Sequence, residues 1–181
     1  MEIVESELKG LFVIKPKVFE DARGYFFESY NKESFVKNGL DLDFVQDNQS
    51  LSQKGVLRGL HFQNPPFAQG KLVRVITGAV FDVAVDIRKS SKTYGKWFGL
   101  KLSEKNKWMM YIPEGFAHGF LTLENNTTFS YKCTGFYNKG AEDCLMWNDP
   151  GIGIQWGTEE VLLSDKDKTG KLISNFQSQF A

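Results

Sequence analysis

Histidine is scarce in this chain, with only His61 and His118 among 181 residues. So few imidazoles rule out the usual three-histidine metal centre of a small β-barrel, and no carboxylate neighbours His61 in sequence, so no metal is expected. Cysteine is as rare, and Cys133 and Cys144 form neither a disulfide framework nor a Cys-rich metal motif. Net charge is absent too. The 22 basic residues cancel the 22 acidic ones, which removes long-range attraction to nucleic acid or an anionic membrane, so any anionic ligand must be held by a local cluster. No long apolar run and no apolar N-terminal segment occurs, and the expectation is a cytoplasmic protein without a membrane span. Nucleotide-cofactor fingerprints are also missing. Gly151-Ile152-Gly153 has Trp156 where a third glycine belongs and follows Asp149-Pro150 instead of a strand, and no Walker A loop is present, so no cofactor is expected.

The arginines are informative because there are only four, Arg23, Arg58, Arg74 and Arg88. Arg is the better bidentate partner for phosphate. Arg58 falls in Gly55 to Val73, G-V-L-R-G-L-H-F-Q-N-P-P-F-A-Q-G-K-L-V, which also carries His61 and Lys71. Glycines and a Pro-Pro pair interrupt its apolar residues, as expected where backbone is bent to aim polar side chains inward.

Along the chain, Leu11 to Tyr30 alternates short apolar runs around one turn, Glu20 to Gly24. Asn31 to Asn38 is the clearest helix, with Asn31 as N-cap and Gly39 just past its end. Eight strand-like runs follow: Phe44 to Ser52, Val56 to Phe62, Lys71 to Thr77, Ala79 to Ile87, Trp97 to Leu102, Trp108 to Ile112, Ala117 to Leu123 and Thr127 to Thr134. Their short spacing and the absence of amphipathic helices between them predict a single all-β domain over 1–181, a barrel or sandwich.

Alternation assigns faces. Phe81, Val83, Val85 and Ile87 share one side of their strand, and Asp82, Ala84 and Asp86 share the other, which fits a strand between an apolar core and a polar surface or cavity. Phe129, Tyr131 and Cys133 point together, so Tyr131 faces inward with a hydroxyl that needs a partner. Arg58 and His61 differ by three and fall on opposite faces unless a bulge intervenes at Gly59; without one, either could still reach a site from the end of the strand.

A His base, an orienting Asp, an inward Tyr and a Lys are the minimum for moving protons on carbon beside a carbonyl. Inverting a stereocentre needs removal on one face and return on the other, hence two groups. Taken singly, each residue has a plainer reading: His61 and His118 as bonded core residues, Tyr131 as a core tyrosine, Lys71 as a solvated strand end, Asp167 as a surface turn residue and Arg23 as a turn salt bridge. Asp82 and Asp86 stay outside the expected site.

The motifs F-E-D-A-R-G-Y-F-F-E (Phe19 to Glu28), Q-D-N-Q-S-L-S (Gln46 to Ser52), V-L-R-G-L-H-F-Q (Val56 to Gln63), Q-G-K-L-V-R-V (Gln69 to Val75), V-F-D-V-A-V-D-I-R (Val80 to Arg88), I-P-E-G-F-A-H-G-F (Ile112 to Phe120), Y-K-C-T (Tyr131 to Thr134), W-N-D-P-G-I-G-I-Q-W (Trp147 to Trp156) and L-S-D-K-D (Leu163 to Asp167) together resemble the dTDP-4-dehydrorhamnose 3,5-epimerase family. The resemblance spans about Leu8 to Asp167. It implies a cupin-like jelly-roll barrel with short peripheral helices, a homodimer with shared active sites, and no metal or other cofactor. The implied substrate is dTDP-4-dehydro-6-deoxy-D-glucose, a dTDP-4-keto-6-deoxy sugar inverted at carbons 3 and 5 on the way to dTDP-L-rhamnose.

Carried over by motif, the resemblance makes His61 the base, Asp167 its orienting partner, Tyr131 the acid and Lys71 the group that stabilises the enolate. Arg58 and Arg23 would bind the diphosphate, and Gln46 and Asn48 the thymine, with Phe19, Phe27 or Tyr137 packing against it. His118, Glu142 and Lys166 match further substrate-binding positions. Arg23 and Glu28 would reach the neighbouring subunit's site. Gly135 and Gly170 depart from the family pattern; the first bears on whether one centre or both are inverted, and the second is expected only to loosen the C-terminal tail. Alternatives are a single-centre epimerase or isomerase of a related nucleotide 4-keto sugar, a non-catalytic sugar-nucleotide-binding cupin and, more remotely, a metal-dependent cupin oxygenase.

Overall fold

The computed structural model describes all of residues 1–181. In chain order its elements are β1 (Glu2–Glu5), β2 (Phe12–Lys15), β3 (Phe19–Asp21), β4 (Gly24–Phe26), α1 (Lys32–Lys37), β5 (Gln46–Ser52), β6 (Leu57–Gln63) and β7 (Lys71–Thr77). There follow β8 (Ala79–Asp86), β9 (Trp97–Ser103), β10 (Met109–Ile112), β11 (Phe116–Thr122), β12 (Thr127–Cys133) and β13 (Glu142–Cys144), with two short 3-10 turns at Asp167–Thr169 and Ile173–Asn175. One sheet runs β1-β2-β10-β7-β12-β5 and the other β13-β6-β11-β8-β9. The hairpin β3-β4 stands apart from both. All pairings between these strands are antiparallel. The two sheets face each other as the unclosed barrel of a jelly roll, so the all-β expectation and its short peripheral helices hold.

The core has three layers. Between the sheets, Val73, Val75 and Phe129 meet Val80, Ala84, Leu102, Phe116 and Phe120. Outside the five-stranded sheet, Val83, Val85 and Ile87 are covered by Leu145, Ile152, Trp156, Phe176 and Phe180. Outside the other sheet, Ile14, Leu72, Met109 and Tyr111 lie under Phe35 of α1 and Leu40. Thus the apolar face of β8 is not the barrel interior. It points away, beneath the returning C-terminal segment, while Asp82, Ala84 and Asp86 are buried on the inner side.

All eight expected strands form, with ends moved by a residue or two. The strands without a sequence signal are β1 and β13, of four and three residues, too short for alternation to register. The expected helix is α1, and the Asn31 side chain accepts a hydrogen bond from the Ser34 amide at 3.1 Å. Gly170 does the opposite of loosening the tail. The chain there crosses the Leu145 backbone so closely that a Cβ would lie 2.6 Å from its carbonyl oxygen, and Leu145 and Lys171 form a parallel bridge.

Candidate active site

The site begins with a bulge. Along β11, His118 pairs with His61 of β6 and Phe120 pairs with Arg58, so two residues of β6 oppose the single Gly119. That extra residue turns Arg58 and His61 to the same inner side, as the motif required. Glycine is needed on both strands. A Cβ on Gly59, where φ is +138°, would lie 2.5 Å from the Gly119 Cα, and one on Gly119 would lie 2.8 Å from the Arg58 carbonyl oxygen. Gly59→Ala is therefore expected to destabilise the protein by about 1–3 kcal/mol or more, because backbone must move to admit one methyl. Activity should fall further than stability, since the same movement separates Arg58 from His61. Urea denaturation beside turnover checks both.

His61 Nε2 lies 2.5 Å from Asp167 Oδ1. Asp167 sits in the 3-10 turn at Asp167–Thr169 and is buried although its neighbours are exposed. Ser164 donates its hydroxyl to the other carboxylate oxygen at 2.8 Å and accepts the Asp167 amide at 3.2 Å. Burial works against the Asp167 charge, but the hydrogen bonds from His61 and Ser164 outweigh it and hold the carboxyl below its ordinary range. With Nε2 committed to Asp167, Nδ1 is the nitrogen left to exchange a proton with a ligand. Beside this pair, β13 places Cys144 directly opposite His61 and Glu142 opposite Gln63. Glu142 forms an ion pair with Lys166 and accepts the Tyr137 hydroxyl at 3.1 Å.

The opposite sheet contributes Lys71 and Tyr131. Both are on its inner face, Tyr131 paired with Asn48 of β5 and with Val73 of β7, Lys71 paired with Cys133. The Lys71 ammonium lies 5.9 Å from the centroid of the Tyr131 ring, and no carboxylate is close enough to form an ion pair with it. Burial lowers its pKa, against the attraction of Asp82 and Glu142 across the barrel. Burial raises the pKa of Tyr131, so its hydroxyl keeps its proton. Gln46 and Asn48 line the same strand edge. Gln46 donates to Asn48 at 3.1 Å and accepts the Tyr137 amide at 2.9 Å, while Asn48 donates to the Cys133 sulfur at 3.5 Å. Arg58 is exposed at the mouth, its Nε 3.2 Å from the Ser52 hydroxyl.

His118 is buried, with Nε2 3.0 and 3.1 Å from the two oxygens of Asp82. Burial disfavours charge on both, raising the carboxyl and lowering the imidazole. Asp82 lies outside the expected site: alternation puts it on the polar face of β8, but its diagonal reach to His118 depends on a β8-β11 register that no single strand encodes. Ser164 also went unnoticed, although Ser three residues before Asp is a common local hydrogen-bonding pattern.

Arg23 and Glu28 are not brought to this cluster. Arg23 is exposed at the β3-β4 turn and paired with Asp21 at 2.5 Å, and Glu28 accepts from Asn31 at 2.9 Å. Thus the structure joins His61, Asp167, Lys71, Tyr131, Arg58, Gln46, Asn48, His118, Glu142 and Lys166 around one barrel end and leaves two expected residues outside.

The sequence profile described as dTDP-4-dehydrorhamnose 3,5-epimerase matches residues 5–175. The chain belongs to that family. Within the dTDP-4-dehydrorhamnose 3,5-epimerases, the Shigella flexneri protein of that name is 52% identical over 172 residues, covering 94% of this chain and 95% of its own. The crystal structure of the Elizabethkingia anophelis epimerase superposes with a TM-score of 0.92 at 48% identity, covering 97% of both chains. A Legionella pneumophila dTDP-6-deoxy-D-glucose-3,5-epimerase, solved in complex with dTDP-4-keto-L-rhamnose, gives 0.93 at 46% identity, covering 97% of this chain and 94% of that one. The match in both sequence and fold runs nearly the whole length, including the segment after β13 that supplies Asp167.

Proposed function

We propose that this protein converts dTDP-4-dehydro-6-deoxy-D-glucose to dTDP-4-dehydro-L-rhamnose by inverting the two carbons beside the 4-keto group. The observation that carries the reading is the opposition of groups across the barrel. His61, fixed by Asp167, comes from one sheet. Tyr131 and Lys71, neither of them bonded to protein through its polar tip, come from the other.

Each inversion runs through an enolate. Nδ1 of His61 takes the proton from the carbon beside the ketone, the C–H electron pair becomes a C=C bond to the carbonyl carbon, and the carbonyl π pair moves onto the keto oxygen. Asp167 stabilises the imidazolium that forms. The Lys71 ammonium, without a competing carboxylate, stabilises the oxyanion, where a preorganised charge acts on the transition state more than on the ground state. Tyr131 then returns a proton to the same carbon from the opposite face. Once His61 has released its proton to solvent and Tyr131 has taken one back, repeating the cycle at the second carbon completes the conversion. Arg58 at the mouth binds the diphosphate, and Gln46 and Asn48 read the thymine.

The working unit is a cytoplasmic homodimer of single-domain chains. Support comes from the β3-β4 hairpin, which exposes Phe19, Tyr25 and Phe26 to solvent and holds Arg23 away from its own site. In the dimer that hairpin delivers Arg23 and Glu28 to the partner's diphosphate. No helix is long and apolar enough to cross a membrane.

Proton NMR of the substrate in deuterated water, with a reductase trapping the rhamnose form, tests the activity. Deuterium at both carbons beside the ketone is the expected result. Label at one carbon alone would replace the proposal with a single-centre epimerase, and no label would refute it.

A further inference from the structure

Cys144 has no part in the proton transfers above, yet it lies against the residues that perform them. One donor atom each from His61, Asp167 and Cys144 falls within a mutual 4.8 Å. The β13-β6 register produces this arrangement by setting Cys144 directly across from His61. The thiol is buried and makes one hydrogen bond, to the Leu145 carbonyl at 3.3 Å. An imidazole, a carboxylate and a thiol at that separation are a donor set for a thiophilic divalent cation of tetrahedral preference, and a poor one for magnesium.

We propose that His61, Asp167 and Cys144 form an inhibitory site for zinc or a similarly thiophilic cation. Binding breaks the S–H bond of Cys144, sends that proton to solvent and forms a metal–sulfur bond. His61 binds through Nε2, so its single proton moves to Nδ1 and the ring stays neutral. Nδ1 is the nitrogen that the Asp167 contact leaves for the sugar. Once protonated it no longer accepts a proton from carbon, and Asp167, turned toward the cation, no longer orients the ring. One bound ion therefore disables the base without removing any catalytic residue.

The inhibition rests on the epimerase reading, whereas the binding does not, so the test measures both. Cobalt(II) titrated into the intact wild-type protein should give a thiolate-to-metal charge-transfer band in the near ultraviolet, displaced by zinc and absent in Cys144→Ser. In the deuterium assay, zinc chloride should stop exchange in the wild type, a chelator should restore it, and magnesium should do nothing. Cys144→Ser should exchange normally without metal and need at least about tenfold more zinc for the same inhibition. Absence of the band in the wild type overturns the site, whatever the activity proves to be. Equal sensitivity of wild type and Cys144→Ser to zinc also overturns it, because the cation would then bind without the thiol.

Discussion

His61→Ala should lose deuterium exchange at both sugar carbons together, by about 10²- to 10⁴-fold. The size follows from the absence of a substitute. His118 is the only other imidazole, and it is buried with its Nε2 held by Asp82. Asp167 does not fill the role, because it is buried in the turn behind the imidazole and Ser164 still donates to one of its oxygens. The loss should not come from unfolding. His61 is partly exposed, and the bulge that carries it depends on Gly59 and Gly119, not on the imidazole. A circular-dichroism melt separates the two explanations. If His61→Ala retains full epimerisation, another residue is the base; if exchange is lost at one carbon only, the two centres use different bases and the shared-base scheme fails.

How far the sequence led is clearest at particular residues. Tyr131 was readable because it lies in a seven-residue strand whose alternation fixes its face, and it turns inward; Lys71, whose plain reading was a solvated strand end, was marked only by the resemblance, and its strand turns it inward too. The Arg58 and His61 conflict was also informative, since side chains three apart share a face of a strand only through an extra residue, and of the two ways out, a bulge or reach from the strand end, the β6-β11 register shift is the bulge. Asp82 lies outside the expected site and yet holds His118. The face was correct, but its partner is set by how β8 pairs with β11, a non-local property. The apolar side of β8 was ambiguous for a related reason, since the cover it packs against arrives from Leu145 to Phe180, far along the chain. Asp167 carried no signal of its own beyond the resemblance. It follows Asp165 and Lys166 in an exposed turn, and its burial against His61 is a consequence of the tail returning across β6.

Tyr131→Phe should separate exchange from inversion. The substitution removes one oxygen that bonds to nothing in the protein, so no buried partner is orphaned, and the ring stays packed beside Phe129 with centroids 6.1 Å apart. His61 and Lys71 remain, so the proton still leaves and the enolate still forms. What is missing is a donor on the far face. His61, as the imidazolium, returns the proton or a solvent deuteron to the side from which it came, giving exchange with retention. Burial keeps the native hydroxyl protonated, which makes it an acid available at neutral pH and not a second base. The expected result is deuterium uptake near the wild-type rate, with rhamnose-form product trapped by the reductase reduced about 10²- to 10⁴-fold. Loss of both to the same degree would mean that Tyr131 is needed to form the enolate, and unchanged product would place the acid elsewhere. A wild-type exchange rate beside absent product is the outcome that only groups on opposite faces can give, because a single base serving both faces would lose neither.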